Sequence, residues 1–203
     1  MIKNIVFDIG NVLAEFCWEE FYRSFGFSEE VFQKVAKATA MNEDWNELDR
    51  GVMPVEAVVD LFVENDPSVE AEIRMALRDF SGILKRLDYA IPWIEDLKGR
   101  GYRVYYLSNF FDKVRRECMD TLDFMSHMDG GIMSYTVQLI KPDYPIYEEL
   151  LKRYDLNPQE CVFIDDREVN CQSARELGMT AIQFQNVSQA KEALNQLLSE
   201  QAG

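Results

Sequence analysis

Apolar residues follow two distinct patterns along the chain. Nearly uninterrupted apolar runs, each bounded by polar or turn residues, occur at 4–8, 102–109, 160–166 and 179–184. Such runs are typical of parallel strands covered by helices on both faces. Between them, helical spacing predicts helices over 92–98, 112–122, 144–154 and 169–177. This alternation of strand and helix predicts an α/β fold with a doubly wound parallel sheet.

Residues 15–90 do not share that alternation. Their apolar residues recur with a spacing near 3.6 in four segments, which predict four helices at 16–27, 28–40, 54–65 and 67–80. We therefore predict a core domain of residues 1–14 and 91–203, with residues 15–90 inserted as a helical domain. Because the insert begins just after the first strand, we expect it to cover the carboxyl edge of the sheet, where open α/β sheets bind ligands.

The composition narrows the kinds of ligand. The chain has 203 residues and a formal net charge of −15. A chain this acidic repels nucleic acid and anionic lipid, so an anionic ligand has to meet a local positive charge such as a metal ion or a lysine. The sequence shows neither an apolar run of membrane-spanning length nor a signal peptide. Its four cysteines form no C-x-x-C pair, which is typical of reduced thiols, and we expect a cytoplasmic protein.

Residues that can carry chemistry follow the predicted strands or precede a predicted helix: Asp8, Ser108, Asn109, Lys141, Asp165 and Asp166. Parallel strands end at one edge of a sheet, so these side chains are expected to converge. Turn formation alone accounts for Ser108 and Asn109. It does not account for three carboxylates at one edge, because like charges repel and a hard divalent cation with oxygen ligands is the usual solution.

The order of these residues resembles the motif order of the haloacid dehalogenase superfamily. "FDIGNV" is similar to the first motif, D-x-D-x-[TV], and "LSN" resembles the second. "IKPD" resembles the third, and "IDDREVN" is similar to the acidic fourth. The helical insert resembles the family's helical first-type cap. The resemblance covers the whole chain, and the D-x-G-N-V form of the first motif resembles a subgroup that includes sugar-phosphate phosphatases.

The resemblance implies a nucleophile and a metal site. Asp8 would attack phosphorus and form an aspartyl-phosphate. Mg²⁺ would be bound by Asp8, by the backbone carbonyl of Gly10 and by Asp166, with Asp165 binding directly or through water.

The resemblance also implies how a substrate is held. Ser108 and Asn109 would bind the phosphoryl oxygens, and Lys141 would neutralise both nucleophile and phosphate. Such roles suit phosphoryl transfer, which depends mainly on positioning and charge neutralisation. Arg50, in "LDRG", is predicted to lie in a turn between cap helices. It is a candidate for recognising a polar substrate, although exposed arginines are common without such a role.

Gly10 departs from the family pattern. Phosphatases of the family usually have a second aspartate there, which protonates the leaving group and later activates water. Help of this kind is worth roughly 10²- to 10⁴-fold in rate. Either the leaving group needs little protonation, as with a sugar 1-phosphate, or efficient turnover has been lost. Glu15 is near enough in sequence to substitute, but a solvated position at the entry to the cap is commoner for such a residue.

These observations predict a Mg²⁺-dependent phosphatase acting on a small phosphorylated metabolite, specifically a sugar phosphate. Two alternatives stay open. A hydrolytic dehalogenase has the same fold and nucleophilic aspartate but needs no metal, so Asp165 and Asp166 count against it. A non-catalytic binding or regulatory protein would explain Gly10 but not the presence of Asp8, Lys141 and Asp166 together.

Overall fold

The structure is a computed structural model that describes residues 1–200. Its strands within that range are β1 (Asn4–Phe7), β2 (Ala14–Phe16), β3 (Leu84–Arg86), β4 (Arg103–Ser108), β5 (Gly130–Met133), β6 (Cys161–Asp165) and β7 (Thr180–Gln183). Its α-helices are α1 (Trp18–Arg23), α2 (Glu29–Ala38), α3 (Trp45–Arg50), α4 (Val55–Asn65), α5 (Glu70–Ala76), α6 (Ala90–Gly99), α7 (Asp112–Glu117), α8 (Tyr144–Arg153), α9 (Glu168–Glu176) and α10 (Val187–Glu200).

Five of these strands form one parallel sheet in the order β5-β4-β1-β6-β7, as far as residues 1–200 show. Strand β1 is central, fully buried, and paired in register with β4 on one side and β6 on the other. The four apolar runs of the sequence are the four strands β1, β4, β6 and β7. Strand β5 was not predicted, because "GGIM" contains two glycines and glycine is a poor strand former.

Helices cover both faces of this sheet. Ile5 and Phe7 of β1 belong to one apolar core with α6 and α10, and Phe7 packs edge-on against Trp93 of α6. Val6 points the other way, into a second core that includes Tyr147 of α8 and Phe163 of β6. Alternate residues of a buried strand face opposite sides of the sheet, so both cores follow directly from the uninterrupted apolar run. The predicted doubly wound α/β fold is confirmed.

The insert contains five α-helices, α1 to α5, within residues 17–83, instead of the four predicted. Strands β2 and β3 form an antiparallel ribbon at its two ends, pairing Ala14 with Arg86. The additional helix is α3, so Arg50 lies in its last turn and not in a turn between helices. The division at residues 15–90 stays a proposal.

Helix α3 is attached to the core domain at its carboxyl end. The Ser134 hydroxyl donates to the backbone carbonyl of Asp49 (2.5 Å) and accepts from the backbone N–H of Phe110 (2.8 Å). Gly51 ends the helix at φ +67°, and a Cβ added there would lie 2.8 Å from Cβ of Tyr135. Only glycine allows both this left-handed conformation and this close approach. These contacts fix α3 relative to the segments that follow β4 and β5.

Candidate active site

The ends of three neighbouring strands bring the predicted residues together. Asp8 follows β1 directly, Ser108 is the last residue of β4, and Asp165 is the last residue of β6. Asp8 and Ser108 line a cavity of about 370 Å³. Asp165 lies behind the lining, where it contacts Lys141. Both domains line this cavity. The residues from the core domain are Asp8, Gly10, Asn11, Ser108, Asn109, Phe110, Phe111, Val114, Lys141, Asp166, Arg167 and Asn170. The residues from the insert and its ribbon are Phe16, Ala40, Met41, Asn42, Glu43, Trp45, Asn46, Asp49 and Leu84.

Lys141 is the buried cation of this site. Its side chain is 2% exposed, and Nζ lies 2.6 Å from Oδ2 of Asp165 and 2.9 Å from Oδ1 of Asp8. Burial alone would lower the pKa of Lys141, but the charges of Asp165 and Asp8 raise it overall. The lysine therefore stays charged and holds the two carboxylates beside it.

Asn109 positions Lys141 through the backbone. Its side chain accepts from the Lys141 backbone N–H (2.8 Å) and donates to the Lys141 carbonyl (3.0 Å). Both ends of the amide are therefore engaged with Lys141, although Asn109 was predicted to bind phosphoryl oxygens. Ser108 is different: it is 1% exposed, lines the cavity, and its hydroxyl makes no hydrogen bond to another residue of the described chain.

Asp165 is fully buried and its carboxylate is saturated with donors. Besides Lys141, it accepts from Nδ2 of Asn170 (2.9 and 3.0 Å) and from the backbone N–H of Arg167 (2.8 Å). Asp165 does not line the cavity, whereas Asp166 does. Asp165 thus orients Lys141, and the neighbouring Asp166 is the carboxylate presented to a ligand.

Asp8 is a buried carboxylate in an electrostatically unfavourable position. Its Oδ1 accepts from the Ile9 backbone N–H (2.7 Å) as well as contacting Lys141. Burial, followed by the charges of Asp165 and Asp166, raises the pKa of Asp8 to about 6, against the lowering effect of Lys141. A cation placed among these carboxylates would remove this penalty.

Three carboxylates at this edge of the sheet fit a metal ion. Oxygens of Asp8, Asp165 and Asp166 lie within 4.8 Å of one another. Asp166 is held from one side by Nδ2 of Asn11 (3.2 Å). Oδ1 of Asn170, an atom almost completely shielded from solvent, has no hydrogen-bond partner within residues 1–200. An all-oxygen donor set with an unsatisfied buried acceptor beside it is what a hard divalent cation with bound water requires.

Other predicted site residues differ in how close they come to this cavity. Gly10 lines it, with no atom within 4 Å of an added Cβ. Arg50 does not line it, and its guanidinium pairs with Glu47 at 3.6 Å. Glu15 is exposed on β2 and is also absent from the lining. Of these three residues, Gly10 alone lines the cavity.

Among the cavity residues that sequence reasoning missed, Asp49 and Asn170 bear most directly on the acidic cluster. Asp49 stands beside Arg50 in "LDRG", but without the short helix α3 nothing in the sequence tells which of the two points inward. Asn170 lies in the fourth motif, five residues after Asp165, and one helical turn of α9 brings it back to that carboxylate. The helix predicted over 169–177 already contained the signal for Asn170, whereas Asp49 required a helix over 45–50 that was not predicted.

Replacing Lys141 by methionine is expected to destabilise the metal-free protein by about 3–5 kcal/mol, because it leaves two buried carboxylates without their cation. Urea unfolding in the presence of EDTA measures this free energy. Lys98→Met is the matched control, since Lys98 pairs with Asp129 at 2.9 Å on the surface, and such pairs contribute about 1 kcal/mol or less. Equal effects of the two substitutions would contradict the electrostatic description of the site.

The raised pKa of Asp8 predicts a pH-dependent stability difference. A folded-state pKa of about 6, above the ordinary 3.8, means that folding favours the protonated form, so this stabilisation is present at pH 4 and is lost as the pH rises through 6. Asn cannot ionise, so Asp8→Asn should gain roughly 2 kcal/mol over wild type between pH 4 and pH 7. Urea unfolding of both metal-free proteins measures it, and a difference that stays constant with pH would disprove the assigned cause.

The chain belongs to the haloacid dehalogenase-like hydrolase family, whose model matches residues 2–178. A sesquiterpene phosphatase of Aspergillus oryzae is 25% identical over 180 residues, which are 89% of this chain and 88% of that protein. The family predicted from the motif order is therefore confirmed, and the protein is a hydrolase of this family. The D-x-G-N-V subgroup remains a prediction.

Two solved structures share the fold. A family enzyme of Bacteroides thetaiotaomicron, in complex with magnesium and inorganic phosphate, has a TM-score of 0.69 at 23% identity and covers 94% of this chain and 99% of that chain. L-2-haloacid dehalogenase of Xanthobacter autotrophicus has a TM-score of 0.62 at 15% identity and covers 89% of this chain and 76% of that chain. At these identities the likeness concerns the fold alone.

Proposed function

We propose that the protein is a Mg²⁺-dependent phosphatase that hydrolyses a small phosphorylated metabolite through a phosphorylated Asp8. The observation that carries the proposal is the meeting of three features at one cavity: a carboxylate nucleophile, a buried lysine 2.9 Å from it, and an acidic cluster suited to a hard cation. The phosphatase from Aspergillus oryzae and the magnesium- and phosphate-bound enzyme from Bacteroides thetaiotaomicron support it.

Asp8, Asp166 and the Gly10 carbonyl are the proposed metal ligands. Asp165 is assigned the role of holding Lys141, because its oxygens already accept from Lys141, Asn170 and Arg167, and it reaches a metal only through water. When bound, Mg²⁺ supplies positive charge that neutralises the phosphoryl group and the carboxylates around it.

The chain's own residues account for positioning of the phosphoryl group. Asp8 supplies the attacking oxygen at the end of the central strand. Lys141 stabilises the charge that develops on the phosphoryl oxygens, and Ser108 offers a hydroxyl that no other described residue uses. Asn109 acts by fixing the backbone of Lys141. Groups held in place before the reaction stabilise charge without reorganising, which is the main requirement of phosphoryl transfer.

The residues that line the cavity indicate the chemical class of the substrate. Aromatic side chains from both domains line it, namely Phe16, Trp45, Phe110 and Phe111. Polar groups of the insert, Asn42, Glu43 and Asn46, lie in the same lining. We propose a sugar phosphate, specifically a sugar 1-phosphate, because the polar groups suit hydroxyls and Gly10 suits a good leaving group. An apolar alkyl phosphate is the second candidate, favoured by the aromatic wall.

A substrate screen tests the proposed function. We expect the protein to release phosphate from members of a panel of sugar phosphates, polyprenyl phosphates and aryl phosphates when Mg²⁺ is present, and to stop when EDTA is added. The same preparations are tested for halide release from 2-haloacids. Phosphate release that withstands EDTA would contradict the metal site, and halide release without phosphatase activity would establish the dehalogenase alternative.

The proposed setting is the cytoplasm, and the proposed partner is a small phosphorylated metabolite, not nucleic acid. All four cysteines are free thiols, as is usual in reducing compartments. A membrane-crossing helix, long and apolar enough for that purpose, is not found among residues 1–200. The net charge of −15 supports the exclusion of nucleic acid.

A further inference from the structure

Asp49 is a buried carboxylate whose side chain has no partner in the described chain. It is 9% exposed, and none of the hydrogen bonds or ion pairs within residues 1–200 involves its carboxylate. It lines the same cavity as Asp8 and Gly10. Buried carboxylates are normally paired or hydrogen-bonded, because burying an unpaired one is costly. A buried, unpaired carboxylate that faces a reaction cavity therefore calls for a role in the reaction.

The position of Asp49 is fixed by the core domain, although it belongs to the insert. The Ser134 hydroxyl binds its backbone carbonyl (2.5 Å), and the next turn is locked by the close contact between Gly51 and Tyr135. Ser134 also accepts from the backbone N–H of Phe110, two residues beyond Ser108. The backbone of Asp49 is therefore held at a fixed position relative to the ends of β4 and β5, at the edge of the sheet where Asp8 lies.

The surroundings of Asp49 favour a proton at neutral pH. Burial, followed by the charge of Asp8, raises the pKa of Asp49 to about 7, and Lys141 and Arg167 act in the opposite direction. On its own helix, Glu47 and Arg50 pair with each other. A carboxyl group that gains and loses a proton near pH 7 suits acid–base catalysis, which works best when the pKa lies near the working pH.

We propose that Asp49 is the general acid and base of the reaction, taking the place of the carboxylate that Gly10 lacks. As an oxygen of Asp8 bonds to phosphorus, the bond from phosphorus to the leaving oxygen breaks, and that oxygen takes the proton of Asp49. Asp49, now a carboxylate, then removes a proton from water as the water oxygen bonds to phosphorus. The bond from Asp8 to phosphorus breaks, phosphate leaves, and Asp49 is protonated again.

This inference rests on the proposed phosphatase function and changes one expectation drawn from Gly10. With an acid supplied by α3, wild type needs no unusually good leaving group. Removing Asp49 should make the rate depend steeply on the leaving group, as was expected of wild type from the absence of an aspartate at Gly10.

The test compares Asp49→Asn with wild type and with Glu47→Gln, a control on the same helix whose side chain does not line the cavity. The substrates are p-nitrophenyl phosphate, whose leaving anion is stable, and phenyl phosphate, whose leaving group has a pKa of about 10, like tyrosine. Neither aryl group has a hydroxyl for Asp49 to bind. Rapid quenching with Mg²⁺ present measures the rate constant for phosphorylation of Asp8.

We expect Asp49→Asn to slow phosphorylation by phenyl phosphate by roughly 10²- to 10⁴-fold and by p-nitrophenyl phosphate by less than roughly tenfold. Nitrophenolate should then appear as a burst followed by a slow phase, because the base for the second step is missing. Glu47→Gln should match wild type. Asn preserves the size of Asp and removes a disfavoured buried charge, so the variant should melt no lower than wild type.

Equal losses with the two aryl phosphates, or no loss with either, would overturn the assignment and leave Asp49 as a substrate-binding or structural residue. Failure of wild type itself to form a phosphoenzyme is a separate result: it would refute the proposed function and this inference together.

Discussion

Asp8→Asn is expected to reduce phosphate release by roughly a thousandfold or more, because the amide cannot act as the nucleophile. The substitution keeps the shape of the side chain at the end of β1. Lys141 retains Asp165 as a charged partner at 2.6 Å, so the protein should stay folded. Steady-state phosphate release with the best substrate of the screen measures the effect.

The control for this variant is Asp129→Asn. Asp129 precedes β5 and pairs with Lys98 on the surface, away from the cavity lining. It should keep wild-type activity. Wild-type turnover by Asp8→Asn would mean that another residue, or water directly, attacks phosphorus, and the covalent mechanism would have to be abandoned.

Asp166→Ala is expected to lose Mg²⁺ binding. Asp166 lines the cavity and makes one side-chain hydrogen bond, to Asn11, so it is free to bind a metal. Affinity should fall by more than the roughly 10- to 100-fold that is typical of residues that only orient a ligand. Isothermal titration calorimetry measures the affinity, and activity should fall with it.

The metal should also stabilise wild type in a concentration-dependent way, since Mg²⁺ binds the folded site and relieves repulsion among its carboxylates. Asp166→Ala should lose this rise in melting temperature. Glu168→Gln, which alters an exposed carboxylate paired with Arg175 at 2.6 Å, should keep it. Unchanged Mg²⁺ affinity in Asp166→Ala would place the metal elsewhere.

The sheet and the residues at its strand ends were predictable from the sequence because one physical rule governs them. A strand buried on both faces has an uninterrupted apolar run, and its first polar residue marks the edge of the sheet. Asp8, Ser108 and Asp165 each end such a run. Strand β5 lacks that signal because it begins with Gly130 and Gly131. It pairs with β4, and tyrosine side chains lie so close that an added Cβ at either glycine would clash.

The features that sequence reasoning missed depend on tertiary contacts. Helix α3 has six residues, too few for a clear apolar period, and its place is set by Ser134 and Tyr135, which lie about 85 residues further along the chain. Asp49 faces the cavity for that reason. Likewise, Asn109 was expected to bind phosphate because of its place after β4, but its amide matches the backbone of Lys141, which no spacing in the sequence shows.

The central claim is a covalent phosphoryl group on Asp8, and trapping that group tests it most directly. Wild type with Mg²⁺ and its best substrate is quenched in acid during turnover, digested, and examined by mass spectrometry. We predict one phosphoryl group on the peptide that contains Asp8, and none in Asp8→Asn. Active turnover with that peptide unmodified at every quench time, or with the phosphoryl group on another residue, would contradict the account.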